Sequence, residues 1–215
     1  MTASAGLVRQ LRAVGVAAGD LVMVHASMRR VGGRAEALVA ALDQAVGRRG
    51  TWMMVYSATA DPAGFDAHST PADPDVGVLA EVMRRTPGTV VSNHPEARFG
   101  ARGPLAAALT ADVPWHHYFG PGSPLERLAG CGGSVLRLGA DTNTVTLFHH
   151  AEYLARLPHK RAVTRFPLVR QADGTARRRR VDCLDDSDGI APWPDGDYFH
   201  DLTRAVHRAG LMTTG

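Results

Sequence analysis

The sequence predicts an α/β fold, a single domain with a central mixed, largely parallel sheet flanked by helices. Short apolar runs alternate with amphipathic helical patterns through the first quarter of the chain, and the connections between them are short. Strand, helix and strand in that order are typical of parallel strand pairing. The chain has 215 residues, 45% hydrophobic and 21% charged, which suits one sizeable globular domain. We therefore assign residues 1–215 to one domain.

The first part of the chain gives helix and strand patterns in alternation. Leu7, Leu11 and Val14 recur on one helical face, and Gly15 follows as a helix stop. The apolar run in GDLVMVHAS predicts a buried strand at residues 21–25. The same alternation then repeats, with a helix in AEALVAALDQAV and a second buried strand in TWMMVYS.

The middle of the chain predicts shorter elements that follow a long irregular loop. Residues 58–77 are rich in Pro, Asp and Gly, and loops of this length inside a compact domain are more often functional than idle. The next elements are helices in VGVLAEVMRR, GPLAAALT and GSPLERLAG, and strands in TVVS and SVLRLGA. Ser123, Pro124 and Glu126 match the pattern of a capping box at the start of the third helix.

The last part of the chain predicts a helix, two strands and a final helix. The first helix runs from about residue 144 to residue 157, and the strands lie in VTRFPLV and RRRRVDCL. An acidic loop, DDSDG, precedes an amphipathic helix around residues 198–207. The arginine run at residues 177–180 indicates a solvated strand or hairpin face, and a surface for a phosphorylated cofactor is the alternative.

Composition excludes several classes of protein. No apolar run is long enough to span a bilayer, and the N-terminus lacks a secretory pattern, so we expect no membrane partner. Cys131 and Cys183 lie far apart without CxxC spacing, which favours the reducing cytoplasm. The net charge is +3, but aromatic residues make up 6%, so stacking residues beside the basic run are lacking and we expect no nucleic acid. Monomer and homodimer both remain open.

The stretch VTLFHHAE, residues 145–152, places titratable groups in an apolar run. Burying them costs free energy unless they have partners, and His149 and Glu152 share a helical face at a spacing of three. The pair is a satisfied structural cluster, a metal site, or a base with its orienting acid. Adjacent histidines point in different directions and neither HExxH nor HxH occurs, so we expect no metal. The absence of GxSxG also argues against a serine hydrolase.

Further polar groups favour a ligand site near this helix. His94 follows a predicted strand, and strand-end loops of α/β folds converge where ligands bind. His149 has the chemistry of a general base if Glu152 fixes its tautomer. The Gly-rich turn RVGGRA follows the first strand and exposes backbone amides that suit an anionic cofactor.

Four segments in a fixed order resemble one enzyme family. LVMVHASMRRVG, SNHPEARFGARGP, GSPLERL and LGADTNTVTLFHHAEYLARLPHKR are similar to the HxS, SxHP, GxxSP and TxLHxAE motifs of the aminoglycoside 3-N-acetyltransferases. These segments span residues 21–161. The resemblance implies an antibiotic-resistance transferase that uses acetyl-coenzyme A (acetyl-CoA) as co-substrate. Relatives usually continue beyond the position of Gly215, so we expect either a member that is short at its C-terminus or a chain whose terminal segment is missing.

The resemblance implies a catalytic pair and a direct reaction. The family's helical histidine and glutamate fall on His149 and Glu152, which we expect to act as general base and orienting acid. We expect direct attack on acetyl-CoA, because a convincing covalent nucleophile is not visible in the sequence. The acceptor is an amino group of an aminoglycoside, with the 3-amine as the expected position.

The resemblance also implies two sets of binding residues. The cofactor contacts are polar or conformationally special residues of the matched motifs: His25, Ser27, Arg29, Arg30, Gly32, Ser92, His94, Ser123 and Thr146. Because aminoglycosides are polycations, their contacts should be acidic loop residues: Asp61, Asp66, Asp185 and Asp186, with Asp73 and Asp75 in the same long loop. The alternative is that these aspartates form turns.

The sequence departs from the family in ways that leave two other functions open. Val91 stands where many members carry arginine before the SxHP serine, and Arg137 interrupts an apolar strand. One alternative is an acetyltransferase for another amine. The other is a non-catalytic relative that binds coenzyme A.

Overall fold

The computed structural model describes residues 3–58, 61–185 and 197–214. Its first elements follow the predicted alternation of helix and strand. They are α1 (Ala3–Ala13), β1 (Leu21–Ala26), α2 (Met28–Val31), α3 (Ala35–Val46) and β2 (Thr51–Val55). Gly15, predicted as a helix stop, has a φ of 97°, a backbone conformation that favours glycine.

The middle and last elements also follow the predicted order, with additions. After a 3-10 turn at Pro74–Val76 come α4 (Val78–Arg85), β3 (Val90–Val91), β4 (Phe99–Arg102), α5 (Ala106–Thr110), α6 (Pro124–Gly130) and β5 (Ser134–Leu138). The remaining elements are α7 (Leu147–Ala155), β6 (Ala162–Arg165), β7 (Leu168–Arg170), β8 (Ala176–Arg178), β9 (Val181–Leu184) and α8 (Phe199–Arg208).

The central sheet is mixed, with strand order β3-β4-β2-β1-β5. Strand β1 runs parallel to both of its neighbours, β2 and β5, whereas β4 runs antiparallel to β2 and β3. Helices flank this sheet, so the predicted α/β class with a central mixed sheet is confirmed. Two smaller antiparallel pairs, β6 with β9 and β7 with β8, follow in the last third of the chain.

Each face of the central sheet has its own hydrophobic core. Successive side chains of a strand point to opposite faces, so β1 contributes to both. Val22 packs in a cluster with Leu42 and other residues of α1, α3 and α4. Met23 packs in a second cluster with Leu125 and other residues of α5, α6 and β9. The sheet is therefore covered on both sides, which parallel strands require.

Several details differ from the sequence expectations. Strand β4 and the short helix α2 were not predicted. The strand predicted in VTRFPLV is two strands, β6 and β7, because Pro167 has no N–H to donate and interrupts it. The strand predicted in RRRRVDCL is also two, β8 and β9, divided at residues 179–180. Helix α7 is shorter than predicted and ends at Ala155, because the next residue, Arg156, has a left-handed φ of 46°. The arginine run begins in β8 and is exposed, as the solvated-face interpretation predicts.

Within the described ranges, the helices are all too short or too polar to cross a membrane. The predicted cytoplasmic location and the oligomeric state stay predictions.

Gly100 lies in β4, the strand that was not predicted because glycine weakens a strand pattern. The surroundings of Gly100 leave no space for a side chain. A Cβ at this position would lie 1.9 Å from the Tyr56 hydroxyl, and Tyr56 is fully buried. Replacing Gly100 with alanine should therefore lower the free energy of unfolding by about 3 kcal/mol through overpacking, measured by urea denaturation. Gly130→Ala is the matched control, because its Cβ meets nothing within 4 Å and lies in α6. A Gly100→Ala variant as stable as the control would contradict the packing.

Candidate active site

The candidate site lies where the parallel strands β1 and β5 end and helix α7 begins. The register pairs His25, near the end of β1, with Arg137 on β5. Ligands of open α/β sheets bind outside the carboxyl ends of the strands, and this edge is such a position. The Nε2 of His25 accepts a hydrogen bond from the N–H of Thr146, 3.3 Å away. His25 thereby connects the end of β1 to the start of α7.

His149 and Glu152 meet on α7 as their spacing predicted. The Nδ1 of His149 lies 3.0 Å from Oε2 of Glu152. Because a carboxylate accepts hydrogen bonds, Nδ1–H is the donor and the Nε2 of His149 carries the lone pair. The Glu152 side chain is 2% exposed, whereas that of His149 is 16% exposed. The histidine therefore keeps access to solvent or ligand while its acid partner is buried.

Two aromatic rings restrain the imidazole of His149. The Phe119 ring stacks on it at a centroid distance of 5.2 Å and an interplanar angle of 10°. The Phe199 ring, at the start of α8, lies 5.0 Å away at 53°. These contacts fix the plane of the imidazole, and together with Glu152 they leave few rotamers accessible.

Burial and nearby charge make His25 a neutral group. Its pKa is lowered to about 4, first by burial and then by the positive charge of Arg137. At neutral pH its ring therefore acts as a hydrogen-bonding group and not as a cation.

A cavity of about 480 Å³ opens beside His25. Its lining includes four residues predicted as cofactor contacts: His25, Ser27, Arg29 and Thr146. Asp75 and Asp141 also line it, so the cavity has both acidic groups and the basic group of Arg29 in its wall. Asp75 belongs to the acidic set predicted in the long loop, whereas Asp141 had no assigned role.

Arg30 and Gly32 shape the loop that borders this cavity. The Arg30 guanidinium donates to the carbonyl of Gly139 at 2.8 Å and to Oδ1 of Asp141 at 2.6 Å. Gly32 ends α2 with a φ of 74°, and its N–H donates to the carbonyl of Met28. Their contact with the cofactor stays a prediction.

Ser92, His94 and Ser123 bond to nearby backbone and do not line the cavity. Ser92 Oγ accepts the N–H of Phe99, and His94 Nε2–H donates to the carbonyl of Trp115 at 3.0 Å. Ser123 caps α6 by accepting the N–H of Glu126 at 3.3 Å, as predicted, whereas the Glu126 carboxylate accepts the N–H of Gly122 and not that of Ser123. Burial lowers the pKa of His94 to about 4. Their role as cofactor contacts stays a prediction.

The aspartates predicted to bind the aminoglycoside form turns or an ion pair in the structure. Asp61 accepts the N–H of Ala63, and Asp66 accepts hydrogen bonds from the backbone and hydroxyl of Ser69, which lower the pKa of Asp66. Asp185 is 3% exposed and pairs with Arg161. Asp186 lies outside the described residues. Asp61 and Asp66 therefore form turns, as the alternative interpretation predicted.

Sequence reasoning missed two buried cations near the site. The Arg98 side chain is fully buried and donates to the carbonyls of four residues around the long loop: Ser57, Ala67, Thr70 and Pro71. Its local sequence, EARFG, gives no signal of this role. The Nζ of Lys160 lies 2.9 Å from Oε1 of Glu152. The signal that could have pointed to Lys160 is the composition of the chain, which contains a single lysine.

The described ranges contain no group of three or more histidine, cysteine or acidic side chains arranged to hold a metal ion.

Comparison with known proteins identifies the family. The family model described as aminoglycoside 3-N-acetyltransferase matches residues 23–215. The chain belongs to the aminoglycoside 3-N-acetyltransferase family. Aminoglycoside N(3)-acetyltransferase VII of Streptomyces paromomycinus is 39% identical over 237 aligned positions, which cover 97% of this chain and 82% of that protein. Aminoglycoside N(3)-acetyltransferase VIII of Streptomyces fradiae is 43% identical with the same coverage.

Solved structures of acetyltransferases in this family share the fold. AAC-IIIb in binary complex with CoASH superimposes with a TM-score of 0.90 at 35% identity, covering 97% of this chain and 85% of that one. AAC-VIa bound to sisomicin superimposes with a TM-score of 0.86 at 34% identity, covering 95% and 85%. The family resemblance is thus confirmed, and with it the class of acetyl-CoA-dependent aminoglycoside N(3)-acetyltransferase.

The two neutral histidines predict sensitivity of this acetyltransferase to mild acid. The pKa values of His25 and His94 are lowered from 6.5 to about 4 in the folded state, so between these pH values the unfolded chain binds more protons. Stability should therefore be complete above about pH 6.5 and fall as the pH drops toward 4. At pH 5 the loss should be on the order of 2 kcal/mol for each histidine, measured by urea denaturation.

His94→Asn isolates this effect, because the Asn Oδ1 can replace Nδ1 as acceptor of the Glu96 and Ala97 N–H groups. This variant should lose less stability than the parent between pH 7 and pH 5. His207→Asn, at an exposed position of α8, should behave like the parent. Equal acid sensitivity in all three proteins would contradict the argument.

Proposed function

We propose that this protein transfers the acetyl group of acetyl-CoA directly to the 3-amine of an aminoglycoside, with His149 as general base. The observation that supports this most is the 3.0 Å contact between His149 Nδ1 and the buried Glu152. It assigns the proton to Nδ1 and leaves Nε2 free to accept one from the attacking amine. Glu152 then accepts the Nδ1–H of the imidazolium that forms.

The proposed reaction needs two proton transfers and one acyl transfer. The amine nitrogen attacks the thioester carbonyl and loses a proton to His149. The C–S bond then breaks, and the imidazolium can return that proton to the coenzyme A thiolate. General base catalysis of this kind typically contributes about 10²- to 10⁴-fold in rate.

The cavity beside His25 is the proposed position of acetyl-CoA. Arg29 is exposed at its lining, and a guanidinium there suits the phosphates of the coenzyme. The binary complex of AAC-IIIb with CoASH, a relative of the same fold, supports this ligand class. His25, Ser27 and Thr146 add polar groups to the lining. Thr146 stands at the start of α7, the helix that carries His149 and Glu152, which are not themselves part of the lining.

The long loop is the proposed contact for the cationic acceptor. Asp75 in this loop is exposed and lines the same cavity as Arg29, so opposite charges border one space. The Asp141 charge is shared with Arg30, which leaves Asp75 as the stronger attraction for an ammonium group. The sisomicin complex of AAC-VIa supports an aminoglycoside as the acceptor.

The first test is thiol release from acetyl-CoA with a structurally varied aminoglycoside panel, combined with mass spectrometry of the products. Release together with one added acetyl group at the 3-amine is the expected result. Release with a different amine but with no aminoglycoside would favour the alternative substrate. Coenzyme A binding without any release would favour a non-catalytic relative.

His149→Ala should lower kcat at least about a hundredfold, because proton removal from the amine loses its base. Stopped assays at saturating substrates measure the change, and circular dichroism checks the fold. His207→Ala is the matched control, an exposed histidine on α8, and should keep full turnover. A folded His149→Ala variant with near-normal kcat would remove the general-base assignment.

Asp75→Asn and Arg29→Ala should affect different substrates. Each removes one exposed charge from the same cavity, so each effect should be modest, roughly two- to fivefold in KM. Asp75→Asn should raise KM for the aminoglycoside, and Arg29→Ala should raise KM for acetyl-CoA. Initial rates with either substrate varied measure both constants. If each variant changes both KM values equally, the proposed division of the cavity is wrong.

A further inference from the structure

The chain uses arginine for its positive charge almost everywhere. Of its 24 lysine and arginine residues, Lys160 is the single lysine. Its side chain is 2% exposed and lies against the carboxylate of Glu152, the acid partner of the proposed base. A sequence that otherwise places arginine at every basic position therefore has an ammonium group next to the catalytic pair.

Glu152 connects Lys160 to His149 through its two carboxylate oxygens. Oε1 lies 2.9 Å from the Lys160 Nζ, and Oε2 lies 3.0 Å from the His149 Nδ1. The Lys160 ammonium also lies 5.7 Å from the centroid of the Tyr198 ring. Lys160 follows α7 in the connection to β6, so it reaches Glu152 from a different segment than His149 does.

The geometry accounts for lysine in place of arginine. A guanidinium binds a carboxylate best with two parallel hydrogen bonds, one to each oxygen. Here Oε2 is already occupied by His149, so one oxygen remains for the cation. A compact ammonium on a flexible stem can approach that single oxygen in a buried space, whereas the planar fork of arginine would compete with His149.

We propose that Lys160 is a positioning residue for acetyl transfer: its ammonium holds one carboxylate oxygen of Glu152 and directs the other at His149. This inference rests on the proposed role of His149 as general base. Without the ammonium, a buried carboxylate would lose its strongest partner and the orientation of His149 would be less defined.

Charge balance gives this role a measurable signature. With Lys160 present, an ammonium lies beside the carboxylate that contacts His149. Without Lys160 this positive charge is lost, which favours the protonated state of the pair, so we expect the active, unprotonated state to require a higher pH. Of the described groups that face His149, His25 on β1 is neutral with a pKa of about 4, and Phe119 and Phe199 carry no charge. Arg137 on β5 acts on His25 and is the same in every variant.

The test compares Lys160→Met, Lys160→Arg, His149→Ala and the parent enzyme by kcat and KM from pH 5.5 to 9. Lys160→Met should lose at least about tenfold in kcat with little change in KM, and its half-maximal rate should move to higher pH. Lys160→Arg keeps the charge, so it should keep the pH midpoint of the parent while kcat falls. Arg9→Met removes one exposed charge from α1 and should match the parent in both respects.

The outcomes separate this inference from the proposed function. An inactive His149→Ala beside a Lys160→Met with the parent's kcat and pH midpoint would overturn the role of Lys160 alone. Near-normal activity of His149→Ala would instead overturn the proposed base. If Lys160→Arg shifts the pH midpoint as far as Lys160→Met does, the charge is not what Lys160 contributes, and the inference fails.

A second measurement covers the case in which Lys160→Met does not fold. Because the chain has one lysine, lysine-selective ¹³C labelling gives a single side-chain signal that needs no assignment. Glu152→Gln should shift the Lys160 Cε signal clearly, whereas Arg9→Met should leave it in place. An unchanged signal in folded Glu152→Gln would mean that the ammonium does not bind this carboxylate, and it would overturn the inference.

Discussion

The parallel pairing of β1 with both β2 and β5 is the constraint on which the site depends. It places His25 beside Arg137 and brings the ends of the strands to one edge of the sheet. The loops that leave this edge then supply α2 on one side and the start of α7 on the other. Because both sheet faces are covered, a shift in register would expose one core and move His25 away from Thr146.

The polar groups that support the site are buried with specific partners. Glu152 has a cation on one oxygen and an imidazole on the other, and His94 has three backbone partners. Arg98 reaches four carbonyls, and burial lowers its pKa to about 10, so it remains charged at neutral pH. Removing a single partner from such a network costs more than the network contributes as a whole. These groups therefore specify one arrangement of the loops around the cavity.

Much of the fold could be predicted because its signals are local. Apolar periodicity gave the alternating first elements, and Ser123 with Glu126 marked the start of α6. The spacing of His149 and Glu152 also indicated their contact, since three residues on a helix share a face. Strand β4 was missed because Gly100 weakens its pattern, and what requires glycine there is a tyrosine ring from another segment. Lys160 and Arg98 were missed because their partners lie in different segments of the chain.

Arg98 holds the long loop by backbone carbonyls, which are present whatever the side chains are. Arg98 therefore depends on the backbone positions of Ser57 and of residues 67–71, and not on which side chains these residues carry. Substitutions along this loop can change its surface while the backbone contacts with Arg98 and the central sheet stay unchanged. Because the long loop is the proposed contact for the cationic acceptor, the choice of acceptor could then evolve by changes in one segment, without changes in the sheet or in α7.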